Sequence, residues 1–435
     1  MQNSLIISIA YEALNEGLPE ECAAFGQFVM KSHKTTLTEG FDYFVNNLRP
    51  GPLVSGYHAA EWFAWNWWRL RWEPRSTRRD WSFAHSMTSI GEGYVWPNIT
   101  IHSDGIRTAL ISQPSSRADE KPFRYVGSPP LVLPASAFEA AIDTFIQQIM
   151  GRLAARGVAG TNLAKIWHDV LTERSDPNLA KYRKLEALLG RDADAIDDNA
   201  VEQLLADTER LGAQAVDEIA ASSDAISPIP HSATLSEVAA EHGFDARPAD
   251  MIGLATKLKP SQEIQAWELA IDAARKLRQQ VEPNGNPISS RRLADMAGTT
   301  VIALHWNQYK NPLFSYSFDK SNQPSRYVLR SRHETGRRFD LARLIGDRLL
   351  ETHDALRPAT ASYTYRQKFQ KAFAAEFLCP IEAVDEFLSG DYSSDGQESA
   401  AQHFMVSPMT INSLLKNHGR IYRDDADFET TQAYG

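Results

Sequence analysis

Cysteine is nearly missing. Cys22 and Cys379 are the only two in 435 residues, and each sits in an apolar neighbourhood. That usage fits reduced core thiols in a cytosolic chain, not a disulfide-stapled secreted scaffold. Long hydrophobic runs are missing too, since no stretch approaches the roughly 20 apolar residues that span a bilayer. The Leu5–Ala10 run is short, has no basic residue before it and runs into Glu12 and Glu16, so no secretory signal is expected. Positive charge is not in excess. The net charge of −10 argues against general nucleic-acid coating and leaves room for a local basic site. No internal repeat is visible. What the chain does have is 43% hydrophobic residues, enough to fill the cores of about two or three domains.

Aromatic residues crowd into one part of the first half. Seven of the ten tryptophans fall within Trp62–Trp96, and Tyr57–Trp72 is apolar all round a helical wheel, which predicts a buried helix. Alternation in Asn98–His102, a Ser103-Asp104-Gly105 turn and an extended Ile106–Ile111 predict a hairpin. Helical spacing runs over Ala135–Arg156 with Gly157 as its stop, and Leu179–Leu189 and Ala200–Ala221 read as further helices. In "WWRLRWEPRSTRRDW" (Trp67–Trp81) arginines and tryptophans interleave. Single-stranded nucleic-acid grooves have that pattern, and so does a tryptophan-lined core helix running into a basic loop. His58 and Glu61 stand at i and i+3 without a third ligand nearby.

Ser222–Ser236 (SSDAISPIPHSATLS) is rich in Ser and Pro and lacks periodicity, so it reads as a linker, with a connector helix at Leu235–His242. The expected division is an α+β domain with a tryptophan-rich core over 1–225, a linker and connector over 226–261, a second α+β domain over 262–423, and a tail at 424–435.

The second domain opens with an amphipathic helix, Gln262–Gln280. "NPISSRRLADMAGTTVIAL" (Asn286–Leu304) follows as a loop, a short helix ending at Gly298 and a strand. "LFSYSFD" (Leu313–Asp319) and "SRYVLRS" (Ser325–Ser331) read as a strand pair, then come helices at Arg337–His353 and from about Tyr365 through "FAAEFLCP" (Phe373–Pro380). In this order the segment from about Gln262 to Ile421 resembles the metallopeptidase domain of the ImmA/IrrE family. The resemblance is carried by "PISSRRLADMAG", by the "RRF" and "LA" of "RRFDLARLIGDRLL" against the family's "RRFTLAHELGHLLL", and by "FAAEFLCP" against "EANxFAAELLMP". It implies a zincin-like α+β fold with a short antiparallel sheet. Active members are metallopeptidases that typically inactivate a helix-turn-helix repressor.

The resemblance also implies a lost metal site. A zincin helix needs histidines at i and i+4 and a glutamate between them as general base. The shared register puts Arg343 at the first histidine, Leu344 at the glutamate, Asp347 at the second histidine, and Phe369 near the remaining glutamate ligand. A guanidinium stays protonated and repels zinc. No catalytic residue, metal ligand or cofactor is therefore expected, and Arg343 and Asp347 are expected to pair across one helical turn. The lookalike "HETGR" (His333–Arg337) ends in Arg instead of His and falls in the strand-to-helix connection. His305, His353, His403 and His418 form no i, i+4 ligand pair.

Seven arginines stand between Arg326 and Arg348 against Glu334, Asp340 and Asp347. Such forks bind carboxylates and phosphates, so Arg337, Arg338, Arg343 and Asp347 are the candidate binding-cleft residues. A solvated helix face with ion pairs gives the same letters. "SAAQHFMVSPMTINSLLKNHG" (Ser399–Gly419) has helix-turn-helix spacing, with Ser407 and Pro408 opening its second helix. For DNA it offers only Asn412, Lys416 and Asn417. Three functions follow: a degenerate regulator or defence protein that binds a protein partner such as a repressor, a working metallopeptidase with ligands from elsewhere, or a nucleic-acid-binding regulator.

Overall fold

The structure is a computed structural model, and it describes residues 4–33, 35–78, 80–116, 122–195, 198–223, 229–248, 257–283, 285–305, 312–319 and 324–422. The centre of the expected linker and the tail at 424–435 lie outside the described residues. The chain is α+β throughout, with helices and small antiparallel sheets. It divides into two compact units, Met1–Val201 and Glu202–Gly435. Among the described residues no helix is long and apolar enough to cross a membrane.

In the first unit one sheet joins Ile6–Tyr11, Phe25–Lys31 and Leu53–Ser55, and a second joins Ile99–Ser103, Arg107–Ser112 and Leu131–Pro134. The second contains the expected hairpin, turned at Gly105, whose φ of +93° suits glycine. Helix Ala135–Ala155 follows directly on its last strand and buries Phe138, Ile142, Phe145, Ile149 and Leu153 at helical spacing. The expected continuous helix at Tyr57–Trp72 is instead two, Gly56–Trp65 and Trp67–Trp72. They break at Asn66, whose amide donates back to Trp62 O at 2.9 Å, and Trp65 beside the break is 63% exposed. Trp62, Trp67, Trp68, Trp81 and Trp96 are buried.

Three of the arginines interleaved with these tryptophans have carboxylate partners. Arg69 and Arg78 bind Glu73, which also faces His85, while Arg71 binds Glu139. Glu73 is fully buried, and although burial raises its carboxyl, His85 and Arg69 hold it down at about 2. The interleaving in this unit belongs to a core network. Glu61 accepts from Tyr57 and Asn162, and His58 lies against Tyr94.

In the second unit a four-stranded antiparallel sheet has the spatial order Phe244–Ala246, Ser325–Val328, Ser315–Phe318, Leu356–Ala359. The division at Val201 falls before the Ser222–Ser236 segment, and physical contacts explain why. Asp207 accepts hydrogen bonds from the backbone and hydroxyl of Ser232, and Tyr316 donates to Leu235 O at 2.9 Å. The connector helix, Ser232–His242, is thus packed on the sheet, and the strand after it supplies one edge. Helices Ala266–Val281, Glu334–Asp347 and Tyr365–Leu378 pack together, with Phe369, Phe373 and Phe377 fully buried. The expected strand at Thr299–Leu304 is instead a helical turn, Ile302–His305, closed by Thr300 and Val301 carbonyls.

Candidate functional site

Helix Glu334–Asp347 begins three residues earlier than expected and stops at Asp347 instead of His353. "HETGR" therefore forms its first turn, where a side chain at Gly336 would strike Ser331 Oγ at 2.0 Å. Glu334 there faces His305 at 3.3 Å and accepts from Ser290.

Arg343 and Asp347 lie one turn apart, yet their recorded partners differ. Asp347 is completely buried, and its carboxylate accepts both Nε and a terminal nitrogen of Arg366 at 2.7 Å, with Arg357 at 3.3 Å and Gln370 at 2.8 Å. Burial raises its pKa, but the arginines outweigh that and hold it at about 2. Arg343 donates instead to Thr360 O and Gln367 Oε1, each at 2.6 Å. Two cations, both from across the fold, out-compete the local i, i+4 neighbour for Asp347. Arg366 also reaches Asp354 at 2.8 Å. Glu218 sits nearby in the same network, fully buried, accepting from Thr364 at 2.8 Å and Ser362 at 3.3 Å. Desolvation pushes its carboxyl up to about 7, against the pull of Arg366.

Arg337 and Arg338 do other work than expected. Arg337 donates to the carbonyls of Ala303, Leu304, Leu329 and Ser331. Arg338, wholly buried, donates to Ile288 O, Met405 O and Ser290 Oγ. Burial pushes the Arg338 guanidinium down to about 10. Both side chains tie loops to the helix. Arg338 lines no part of the large cleft, and Arg337 borders a separate hollow of about 550 Å³.

The cleft itself has a volume of about 980 Å³. Phe339, Asp340 and Arg343 line it from helix Glu334–Asp347, Lys371, Ala372 and Ala375 from helix Tyr365–Leu378. Thr360 and Ala361 form another wall, and Asn412, Ser413, Lys416 and Asn417 close it from helix Pro408–Asn417. That last helix follows Ser394–Phe404 through Met405, which takes the left-handed conformation (φ +54°) where a turn glycine is usual. Ser407 caps it by accepting from Thr410 N, and Asn412 donates to Gln397 at 2.9 Å. The residues offered to DNA by the sequence therefore stand on the cleft wall.

The C-terminal end of the sheet's edge strand, beside the cleft, is occupied. Pro358 O accepts from Gln367 and Gln370, and just past the strand Thr360 N donates to Gln367 and Thr360 O accepts from Arg343. These backbone groups are taken by side chains, which obstructs strand addition at that end.

Zinc does not fit these residues. Among the described residues no three His, Cys, Asp or Glu side chains converge as ligands. Phe369 is a core residue, 6.2 Å from the Phe373 ring. Sequence reasoning missed Arg357, Arg366, Gln367, Gln370, Lys371 and Glu218. The available signal was Arg366 and Gln370 falling on the same helical stripe as Phe373 and Phe377, polar letters on an otherwise apolar face.

No protein-family model matches the chain, and no curated protein or solved structure matches it.

Proposed function

We propose that residues 262–423 are a degenerate, zincin-like ImmA/IrrE-type domain, and that the protein works by holding a protein partner in the cleft without hydrolysing it. The observation that carries this reading is the fate of Asp347. At a position the resemblance assigns to a metal ligand, its carboxylate is enclosed by Arg366, Arg357 and Gln370, while Arg343 occupies the other position. A carboxylate so engaged has no lone pair directed at a metal, and two guanidiniums would repel one. What remains of a peptidase is a groove. A helix-turn-helix repressor is the partner the resemblance suggests. It would be gripped by side chains, because Pro358 O and the Thr360 backbone beside the cleft are already taken.

A photo-crosslinker in place of Ser413 on the cleft wall tests this. The expected result is one discrete adduct carrying the partner at full length, lost when Ala372→Trp fills the cleft. A shortened partner would favour the metallopeptidase reading, and an adduct indifferent to Ala372→Trp would place binding elsewhere.

A further inference from the structure

The cleft brings two cations from different helices onto one short stretch of backbone. Arg343 donates to Thr360 O at 2.6 Å, and Lys371 Nζ donates to Ala361 O and Ser362 O, each at 3.0 Å. The Lys371 ammonium also lies 4.6 Å from the centre of the Tyr363 ring. Both side chains line the cleft. Their proximity shows in the lysine: burial first, then the Arg343 charge, pushes its pKa down to about 7. Like charges set together in a partly dry recess raise the free energy of the empty site, and a bound anion relieves it.

The nearby acids have other hydrogen-bond partners. Asp347 is enclosed by Arg366 and Arg357, Asp340 accepts from Ser315, and Glu376 binds Arg275 through one oxygen while its other is buried without a partner among the described residues. Glu218 accepts from Ser362 and Thr364, and its charge opposes the burial of Lys371 only in part. The charged lining as a whole leans positive, with Arg330, Arg343, Lys371 and Lys416 against Asp340 and Glu376. An ammonium carries three donors, and two of those of Lys371 are committed to carbonyls. A guanidinium and an ammonium side by side match the two oxygens of a carboxylate or phosphate.

We propose that Arg343 and Lys371 form an oxyanion subsite in the cleft, which receives a carboxylate or phosphate group of whatever occupies it. This rests on the cleft being the binding site, as argued above.

The experiment is a calorimetric titration of the full chain at constant ionic strength with inorganic phosphate, with triglutamate and, as control, with trilysine. Saturable binding of phosphate or triglutamate but not trilysine is expected, weakened about tenfold or more in Lys371→Met. Response to phosphate alone assigns a phosphate group, and response to triglutamate alone assigns a carboxylate. Lys371→Met is chosen because Lys371 is only partly buried, whereas Arg343→Gln risks the fold. A second readout is acetylation of Lys371 followed by mass spectrometry, which either anion should slow at least about threefold when saturating. No saturable binding of either anion, or binding and acetylation unchanged by Lys371→Met and by anion respectively, overturns the subsite. If the Ser413 crosslink to a partner persists while the anions fail, only the subsite falls. If the anions bind and no partner adduct forms, only the partner reading falls.

Discussion

Asp347 and Arg366 form a two-pronged ion pair, 2.7 Å at each contact, with the carboxylate wholly closed off from solvent. They sit on different helices, nineteen positions apart, and join two elements that both line the cleft. Burying charges is costly unless geometry and further hydrogen bonds compensate, and here Arg357, Gln370 and Asp354 supply them.

Removing one partner should therefore be expensive. Asp347→Ala leaves Arg366 and Arg357 short of an acceptor, and a loss of roughly 3–5 kcal/mol is expected in urea melts. Pairing it with Arg366→Met should recover part of that, with a coupling energy of about 1–3 kcal/mol. The cycle of Arg343→Leu with Asp347→Ala should give clearly weaker coupling, because Asp347 is held by Arg366, Arg357 and Gln370 while Arg343 donates to Thr360 O and Gln367. Strong coupling in the second cycle would mean that the local i, i+4 pair forms after all.

That contrast marks what was legible in the sequence and what was not. Helical and strand periods gave the α+β class, the Ile99–Ser112 hairpin, the helices at Ala266–Val281 and Tyr365–Leu378, the strand pair before helix Glu334–Asp347 and the helical pair after Ser393, but not strand Leu356–Ala359 or helix Ile381–Leu388. That Arg343 and Asp347 share one helix was also legible. Their partners were not. Spacing on one helix favoured an Arg343–Asp347 pair, whereas Arg357 and Arg366 reach Asp347 only because strand Leu356–Ala359 and helix Tyr365–Leu378 fold back on it. The adjacent arginines Arg337 and Arg338 looked like ligand-binding charges, but their forks satisfy buried carbonyls of loops far along the chain. The strand expected at Thr299–Leu304 failed because β-branched letters there are outweighed by a helical turn closing after the Gly298 cap.

Stability should depend on pH through Glu218. Its buried carboxyl is pushed up to about 7, while an unfolded glutamate titrates near about 4.3. The folded chain keeps a proton that the unfolded chain releases, so stability falls as pH rises between those values and then levels. The fall should be on the order of 3–4 kcal/mol. Glu218→Gln should flatten this slope between about pH 4.5 and pH 7. Asp347 acts oppositely. Held at about 2, it contributes stability above the unfolded value of about 3.9 that is lost as pH drops towards 2. A wild-type slope unchanged by Glu218→Gln would show that its proton is not the one involved.

Met405 carries a left-handed backbone (φ +54°) between the two last helices, with Arg338 bound to its carbonyl. That conformation costs a non-glycine residue about 1–2 kcal/mol. Met405→Gly keeps the carbonyl and relieves the strain, so a gain of about 0.5–1 kcal/mol is expected in thermal or denaturant melts. A loss instead would mean that the methionine side chain contributes more than the backbone costs.

Arg338→Met should be among the most damaging single changes in the second unit. It abandons Ile288 O, Met405 O and Ser290 Oγ at a wholly buried site. A loss of about 3 kcal/mol or more follows if those acceptors stay dry. A melt within about 1 kcal/mol of wild type would show that water replaces the guanidinium.

If a salt-bridge network stands where the resemblance would put zinc, elemental analysis of the purified, dialysed protein should find far less than stoichiometric zinc, unchanged in Asp347→Ala. About one zinc per chain, lost in Asp347→Ala, would contradict it.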